Sequence, residues 1–223
     1  MSRVPVITID GPSGAGKGTV AQLLAEKLGY HLLDSGAVYR AAGLHASNCG
    51  ADLDSEASVM NSLNSLEARF SPSPDGVKVT LSGVDVTREI RSEATAAAAS
   101  KVAVMPQVRA SLLDEQRSFR ILPGLVADGR DMGTVVFPDA DLKVFLSAST
   151  EVRAQRRATQ LKEKGMQVNM ESLIQDIAAR DERDSSREHC PLVACADSLI
   201  IDSSDMPVSR VIDQILSALC LEV

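Results

Sequence analysis

A chain of 223 residues with a formal net charge of −7 is long enough to bury a sizeable core in one α/β domain, and its acidity excludes a nucleic-acid-binding surface, which needs a basic stripe. No tryptophan, two tyrosines and four phenylalanines leave no platform for stacking unpaired bases. Cys49, Cys190, Cys195 and Cys220 have neither CxxC spacing nor a set of nearby histidines, so they read as free thiols of a reducing compartment.

The first apolar run, Val4 to Ile9, is unbroken and β-branched, the pattern of a central parallel strand buried on both faces. It leads into Gly11-Pro12-Ser13-Gly14-Ala15-Gly16-Lys17-Gly18-Thr19, followed by an apolar helix-period stretch, Val20 to Leu28. Strand, glycine-rich turn and helix in this order predict a P-loop. The glycines let successive N–H groups face an anion, and the helix beginning near Lys17 adds its positive end. Lys17 supplies an ammonium for the β- and γ-phosphates. A plain glycine-rich turn is the alternative, and the lysine together with both flanks weighs against it. The pattern G-x-x-x-x-G-K-[ST] is met at Gly11, Gly16 and Lys17, but Gly18 stands where a hydroxyl is usual, with Thr19 one further on. Magnesium is then expected through water, or on Thr19 with an acid from another strand.

Gly29 stops the first helix, and Tyr30 to Leu33 make a short strand ending in Asp34-Ser35-Gly36, polar residues where open α/β sheets bind ligands. Ser35 is expected to cap the next helix, which carries Tyr39 and Arg40. A helix starting at Asp54 or Ser55 is predicted to run to about Phe70, and Ser71 to Gly76 is turn chemistry. Val77, Val79 and Leu81 alternate with polar residues, and Ser82-Gly83 leads to Val84-Asp85-Val86: an antiparallel hairpin, and so an appended subdomain. Ala94 to Val104 reads as an alanine-rich helix containing Ser100, and Pro106 opens another that includes Arg109 and runs to about Phe119.

Leu125 to Ala127 is a strand ending in Asp128-Gly129-Arg130-Asp131, and Asp128 fits the loose pattern of a strand-end acid that positions magnesium. Leu142 to Leu146 is the next strand. Glu151 to Lys164 then bears Arg153, Arg156 and Arg157, and Gly165 ends it. A helix from about Met170 carries Arg180, Asp184 and Arg187. A solvated charged hairpin is one reading. Concentration of arginine in an acidic chain favours the other, bidentate phosphate contact. Leu199 to Ile201 and Val208 to Leu221 are the last strand and helix.

About five short apolar strands separated by helices predict a three-layer α/β/α fold on a parallel sheet. The P-loop and the arginines make two anionic sites, one for a nucleoside triphosphate and one for a phosphate-bearing acceptor. Joining two anions calls for fixed cations, and positioning with charge neutralisation supplies most of phosphoryl-transfer catalysis.

GPSGAGKGT, LLDSGAVYR, ADGRDMGTVVFPDADLKVFL and RDERDSSR, in this order and spacing, resemble bacterial cytidylate kinases, a family of nucleoside monophosphate kinases. The resemblance covers nearly the whole chain and is weakest from about His45 to Val77. It implies transfer of the γ-phosphoryl group of ATP, with Mg2+, to CMP or dCMP. By that resemblance Gly11 to Thr19 bind ATP, with Lys17 bridging donor and transferred phosphates, and Arg40, Arg130 and Arg187 hold the acceptor phosphate. It further implies that Ser100, Arg109 and Asp131 read the cytosine edge, and that Asp184 meets the sugar with Ser35 and Arg180 nearby. Arg153, Arg156 and Arg157 are implied to lie on a lid, about residues 151–167, that closes over ATP. An acceptor-binding insert is implied at about residues 61–91. Composition and spacing alone leave two competitors: a P-loop kinase for UMP, AMP or a non-nucleotide metabolite, and a nucleotide-binding switch. The chain has no Asn-Lys-x-Asp guanine signature. It is also expected to be cytoplasmic, since no signal peptide or apolar run of transmembrane length is evident, and a monomer is expected.

Overall fold

The computed structural model describes residues 3–73, 76–163, 167–187 and 190–221, with the side chains of Cys220 and Leu221 left aside. Pro74 and Asp75 of the expected turn, the Gly165 stop, and Glu188, His189 and the Cys220 thiol lie outside the described residues. The chain divides into two compact units, Met1–His31 with Leu122–Val223, and Leu32–Ile121.

The main sheet contains β1 (Val6–Asp10), β2 (His31–Asp34), β6 (Leu125–Gly129), β7 (Leu142–Ser147) and β8 (Leu199–Asp202). Its order is β2-β6-β1-β7-β8, with β1 parallel to β6 and β7, and β7 parallel to β8. Every residue of β1 is buried, as its continuous apolar run requires of a central strand. The first unit also holds α1 (Lys17–Leu28), α6 (Thr150–Glu163), α7 (Met170–Ser185) and α8 (Val208–Leu221), with α1 and α8 packed on its strands and α6 on α7. Gly29 closes α1 in the left-handed conformation, φ 67°, its N–H returning to Ala25 and Glu26 carbonyls. That is the glycine C-cap the sequence indicates.

The second unit holds α2 (Ser35–Asn48), α3 (Glu56–Leu63), α4 (Glu93–Val102), α5 (Pro106–Ser118) and an antiparallel sheet of β3 (Ala68–Ser73), β4 (Gly76–Leu81) and β5 (Val84–Asp85). Alanines in α4 have a packing reason. A Cβ on Gly43 of α2 would lie 2.9 Å from the Ala99 nitrogen and 3.0 Å from the Ala98 carbonyl carbon, so the two helices touch backbone to backbone.

Two local expectations are corrected. The helix begun at Ser55, whose side chain caps it, ends at Leu63 rather than near Phe70, and Ala68–Ser73 is a strand registered Ala68 to Leu81 and Ser73 to Gly76. Leu66, Ala68 and Phe70 pack on a core of Val77, Val79, Leu81, Val86 and Ile90; spaced by two, they suit one face of a strand. Pro72 is tolerated because β3 is an edge strand. At α2, Asp34 rather than Ser35 is the cap, accepting from the Ala37 N–H at 2.9 Å. A short carboxylate in extended backbone does this as well as a hydroxyl. Among the described residues no helix is long and apolar enough to cross a membrane.

Candidate active site

β1 ends at Asp10, and the backbone turns at Gly11, φ +149°, where a Cβ would lie 2.0 Å from the Leu146 carbonyl oxygen. Only glycine fits so close to β7. Gly14 and Gly16 also have positive φ, 82° and 94°, and α1 starts at Lys17. The loop therefore presents amides and a helix N-terminus together, an anion cradle.

Lys17 is buried, 6 % exposed. Its Nζ donates to the Pro12 carbonyl at 3.0 Å and lies 3.8 Å from Asp128 Oδ1. Burial, with the charge of Arg130, lowers its pKa to about 8 against the opposing pull of Asp128 and Asp10. Asp128 stands opposite Ile9 in the register of β6 on β1. Its Oδ2 would lie 3.4 Å from a Cβ on Gly18, so a carboxylate occupies the space beside the residue that departs from the usual pattern.

Asp10 carries a role the sequence reading missed. Its carboxylate accepts from the Met132 and Gly133 N–H groups, each at 2.8 Å, at the start of a π-helical turn, Met132–Val136. Burial raises its pKa to about 6 in spite of those two bonds. Asp10 thus fastens the segment after Arg130-Asp131 to the strand that feeds the P-loop. Its position directly before Gly11 was the available signal.

Arg130 and Arg187 share one buried acid. Arg130 Nε donates to Asp184 Oδ2 at 2.9 Å, and Arg187 donates to Asp184 Oδ1. Burial alone would raise the Asp184 pKa, but Arg130, Arg187 and Arg180 hold it below the ordinary carboxylate range. Arg187 keeps a buried Nε with no hydrogen-bond partner among the described residues. Asp131 is buried, and its carbonyl accepts from Val135 and Val136 at 2.9 and 3.2 Å.

On α6, Arg153 donates to the carbonyls of Ala148 and Ser13 and to Asp181 and Thr150. Arg156 donates to the carbonyls of Ala15 and Ser203 and to the Ser203 hydroxyl. Arg157 donates to Gln160. In the second unit, buried Ser35 donates to Gln116 Oε1 at 2.8 Å. Arg109 lies over the Tyr39 ring, 5.6 Å from its centroid, and donates to the Ala103 carbonyl at 3.1 Å. Ser100 is buried and Arg40 half-buried. The first unit thus gathers the P-loop, Asp128, Arg130, Arg153, Arg156, Asp184 and Arg187, while Ser35, Arg40, Ser100 and Arg109 belong to the second.

An amide cradle at the carboxyl end of a parallel strand, with a buried lysine at its helix start, defines a P-loop nucleotide-binding protein. The family model described as cytidylate kinase matches residues 7–220. The cytidylate kinase of Aeromonas salmonicida (strain A449) is 55% identical over 213 residues, covering 96% of this chain and 93% of its own. That of Photobacterium profundum is 54% identical with the same coverage. That of Klebsiella pneumoniae (strain 342) is 52% identical over 215 residues, 96% of this chain and 95% of its own. The chain belongs to the cytidylate kinase family.

Proposed function

We propose that the protein transfers the γ-phosphoryl group of ATP to CMP or dCMP, giving ADP and CDP or dCDP. Beyond family membership, the observation that carries this reading is the grouping of Arg130 and Arg187 on one buried carboxylate, close enough for Arg130 to depress the P-loop lysine. A donor site alone has no use for a second guanidinium cluster.

In this reading Gly11 to Thr19 bind the ATP phosphates through backbone N–H groups. Lys17 follows the transferred group, neutralising charge on its oxygens. Arg40, Arg130 and Arg187 hold the acceptor phosphate in line, and the Arg187 Nε, without a partner among the described residues, supports an anion there. Ser100, Arg109 and Asp131 read cytosine: a carboxylate accepts from the exocyclic amine while hydroxyl and guanidinium donate to the ring acceptors. Uracil reverses that edge and would leave buried groups unpaired. Asp184 meets the sugar, with Ser35 and Arg180 assigned to the same group. The insert at about residues 61–91 belongs to the acceptor side, and residues 151–167 to the donor side.

Asp128 and the Thr19 hydroxyl are hard oxygen donors of the type magnesium takes alongside phosphates and water, and the carboxylate near Gly18 fits that ion. Asp128 and Thr19 would hold the ion, which would supply charge neutralisation at the phosphates. The thiols of Cys49, Cys190 and Cys195, unpaired with one another, suit a reducing cytoplasmic compartment.

The test is ADP release measured across CMP, dCMP, UMP, AMP and GMP. Turnover is expected with the cytosine nucleotides, and Asp131→Ala is expected to lose most of that preference. Equal rates with all acceptors, or ATP turnover indifferent to any acceptor, would overturn the assignment.

A further inference from the structure

α6 touches the P-loop from behind. A Cβ on Gly14 would lie 3.0 Å from the Arg153 Cβ, and Arg153 is 4 % exposed. Its Nε donates to the Ala148 carbonyl at 2.9 Å, Nη1 to the Ser13 carbonyl at 3.1 Å and Asp181 Oδ1 at 3.0 Å, and Nη2 to Thr150 Oγ1 at 3.0 Å and Asp181 Oδ2 at 2.6 Å. A planar guanidinium with a bidentate carboxylate is the most rigid arrangement arginine makes.

The bond to Ser13 matters because a trans peptide is flat, with its C=O and the following N–H pointing opposite ways. Holding the Ser13 oxygen toward α6 turns the Gly14 N–H away from α6, toward the cradle. Arg156 acts in the same way on the Ala15–Gly16 peptide, holding the Ala15 oxygen at 3.2 Å and so directing the Gly16 N–H. These glycines have positive φ, where nothing in their own side chains fixes the plane, so the restraint has to come from outside the loop.

Asp181 lies on α7 three residues before Asp184, and residues so spaced share a helix face. One acid clamps the arginine behind the P-loop, and the other clamps Arg130 and Arg187. We propose that Arg153 and Asp181 are a positioning pair: Arg153 orients the Ser13–Gly14 peptide for the donor phosphates, and Asp181 fixes that loop to the helix that sets the acceptor-phosphate arginines. Asp181 touches neither nucleotide yet serves both sites. Arg153 is then a strut rather than a lid residue that closes over ATP. This rests on the kinase reading above.

The two roles for Arg153 predict opposite signs. If Asp181 merely holds Arg153 away from ATP, Asp181→Asn releases it and KM for ATP falls or stays. As a positioning pair, Asp181→Asn and Asp181→Ala raise KM for ATP about tenfold and KM for CMP about threefold or more, and lower kcat. Arg153→Lys, keeping the charge without the fork, is expected to rescue little. Arg153→Met with Asp181→Ala is expected to be no worse than Arg153→Met alone, because the pair acts as one unit. Each variant is assayed as the full chain, with circular dichroism for folding and calorimetric binding of a non-hydrolysable ATP analogue. The isosteric Asp181→Asn carries the test if the alanine variant does not fold. Wild-type enzyme that ignores CMP would sink the kinase reading. Wild-type enzyme that uses CMP, alongside Asp181→Asn with unchanged or lower KM for ATP, or additive losses in the double variant, would sink the positioning pair alone.

Discussion

Raising the pH should weaken ATP binding through Lys17 specifically. With its pKa lowered from 10.5 to about 8 by burial and by Arg130, Lys17 in the nucleotide-free protein is mostly charged at pH 7 and mostly neutral at pH 9.5. Phosphates bind the charged form, so above pH 8 the complex must take up a proton, and affinity falls about tenfold per pH unit. Between pH 7 and 9.5 the loss is roughly 30-fold, or about 2 kcal/mol. Calorimetry with a non-hydrolysable ATP analogue, in buffers of different ionisation enthalpy, reads the uptake directly: about half a proton at pH 8 and close to one at pH 9. Lys17→Met should bind more weakly and show no such slope. Affinity changing less than threefold across this range in the wild type, or a Lys17→Met protein that keeps the slope, would refute the reasoning. The same shift has a stability side. Between pH 8 and 10.5 the unfolded chain holds a proton on Lys17 that the folded protein has released, so the contribution of this group to stability rises with pH, by about 3 kcal/mol in all.

Gly11→Ala should destabilise the protein by at least about 3 kcal/mol in denaturant titration, since the new methyl would meet the Leu146 oxygen at φ +149°; a loss below about 1 kcal/mol would count against that close approach. Asp10, raised from 3.8 to about 6, holds in the folded state a proton that the unfolded chain has lost between those values. Its contribution therefore falls by about 2 kcal/mol as pH rises from 4 to 6, and unfolding of Asp10→Asn across that window should lack this component. Asp184 acts with the opposite sign: its depressed pKa supplies stability that is complete above the ordinary carboxylate range and is lost as acid protonates it. A wild-type curve identical to that of Asp10→Asn would remove Asp10 from the account.

What the chain encodes locally was readable from it. The β-branched run of β1, the glycines and lysine of the P-loop, the Gly29 stop, the Pro106 start of α5 and the hairpin of β4 and β5 each depend on neighbours within a turn or two. The five expected strands lie where the sheet has them, displaced by one or two residues at their ends. The run from Leu66 to Phe70 was misread because a short apolar repeat serves helix or strand, and the choice between them was made by the β4 partner and the core beneath.

For the site, residue types fixed the phosphate-binding chemistry of the loop, because amide exposure at glycines and a lysine at a helix start are properties of nine consecutive residues. Which carboxylate holds which cation was decided only by the tertiary structure. Asp10 finds its N–H donors more than 120 residues away, Arg153 finds Ser13 and Asp181, and Asp184 gathers Arg130 and Arg187. Charges carry no periodicity that names their partners. Their pairing follows from burial, where an unpartnered ion is too costly to persist, and burial belongs to the folded chain.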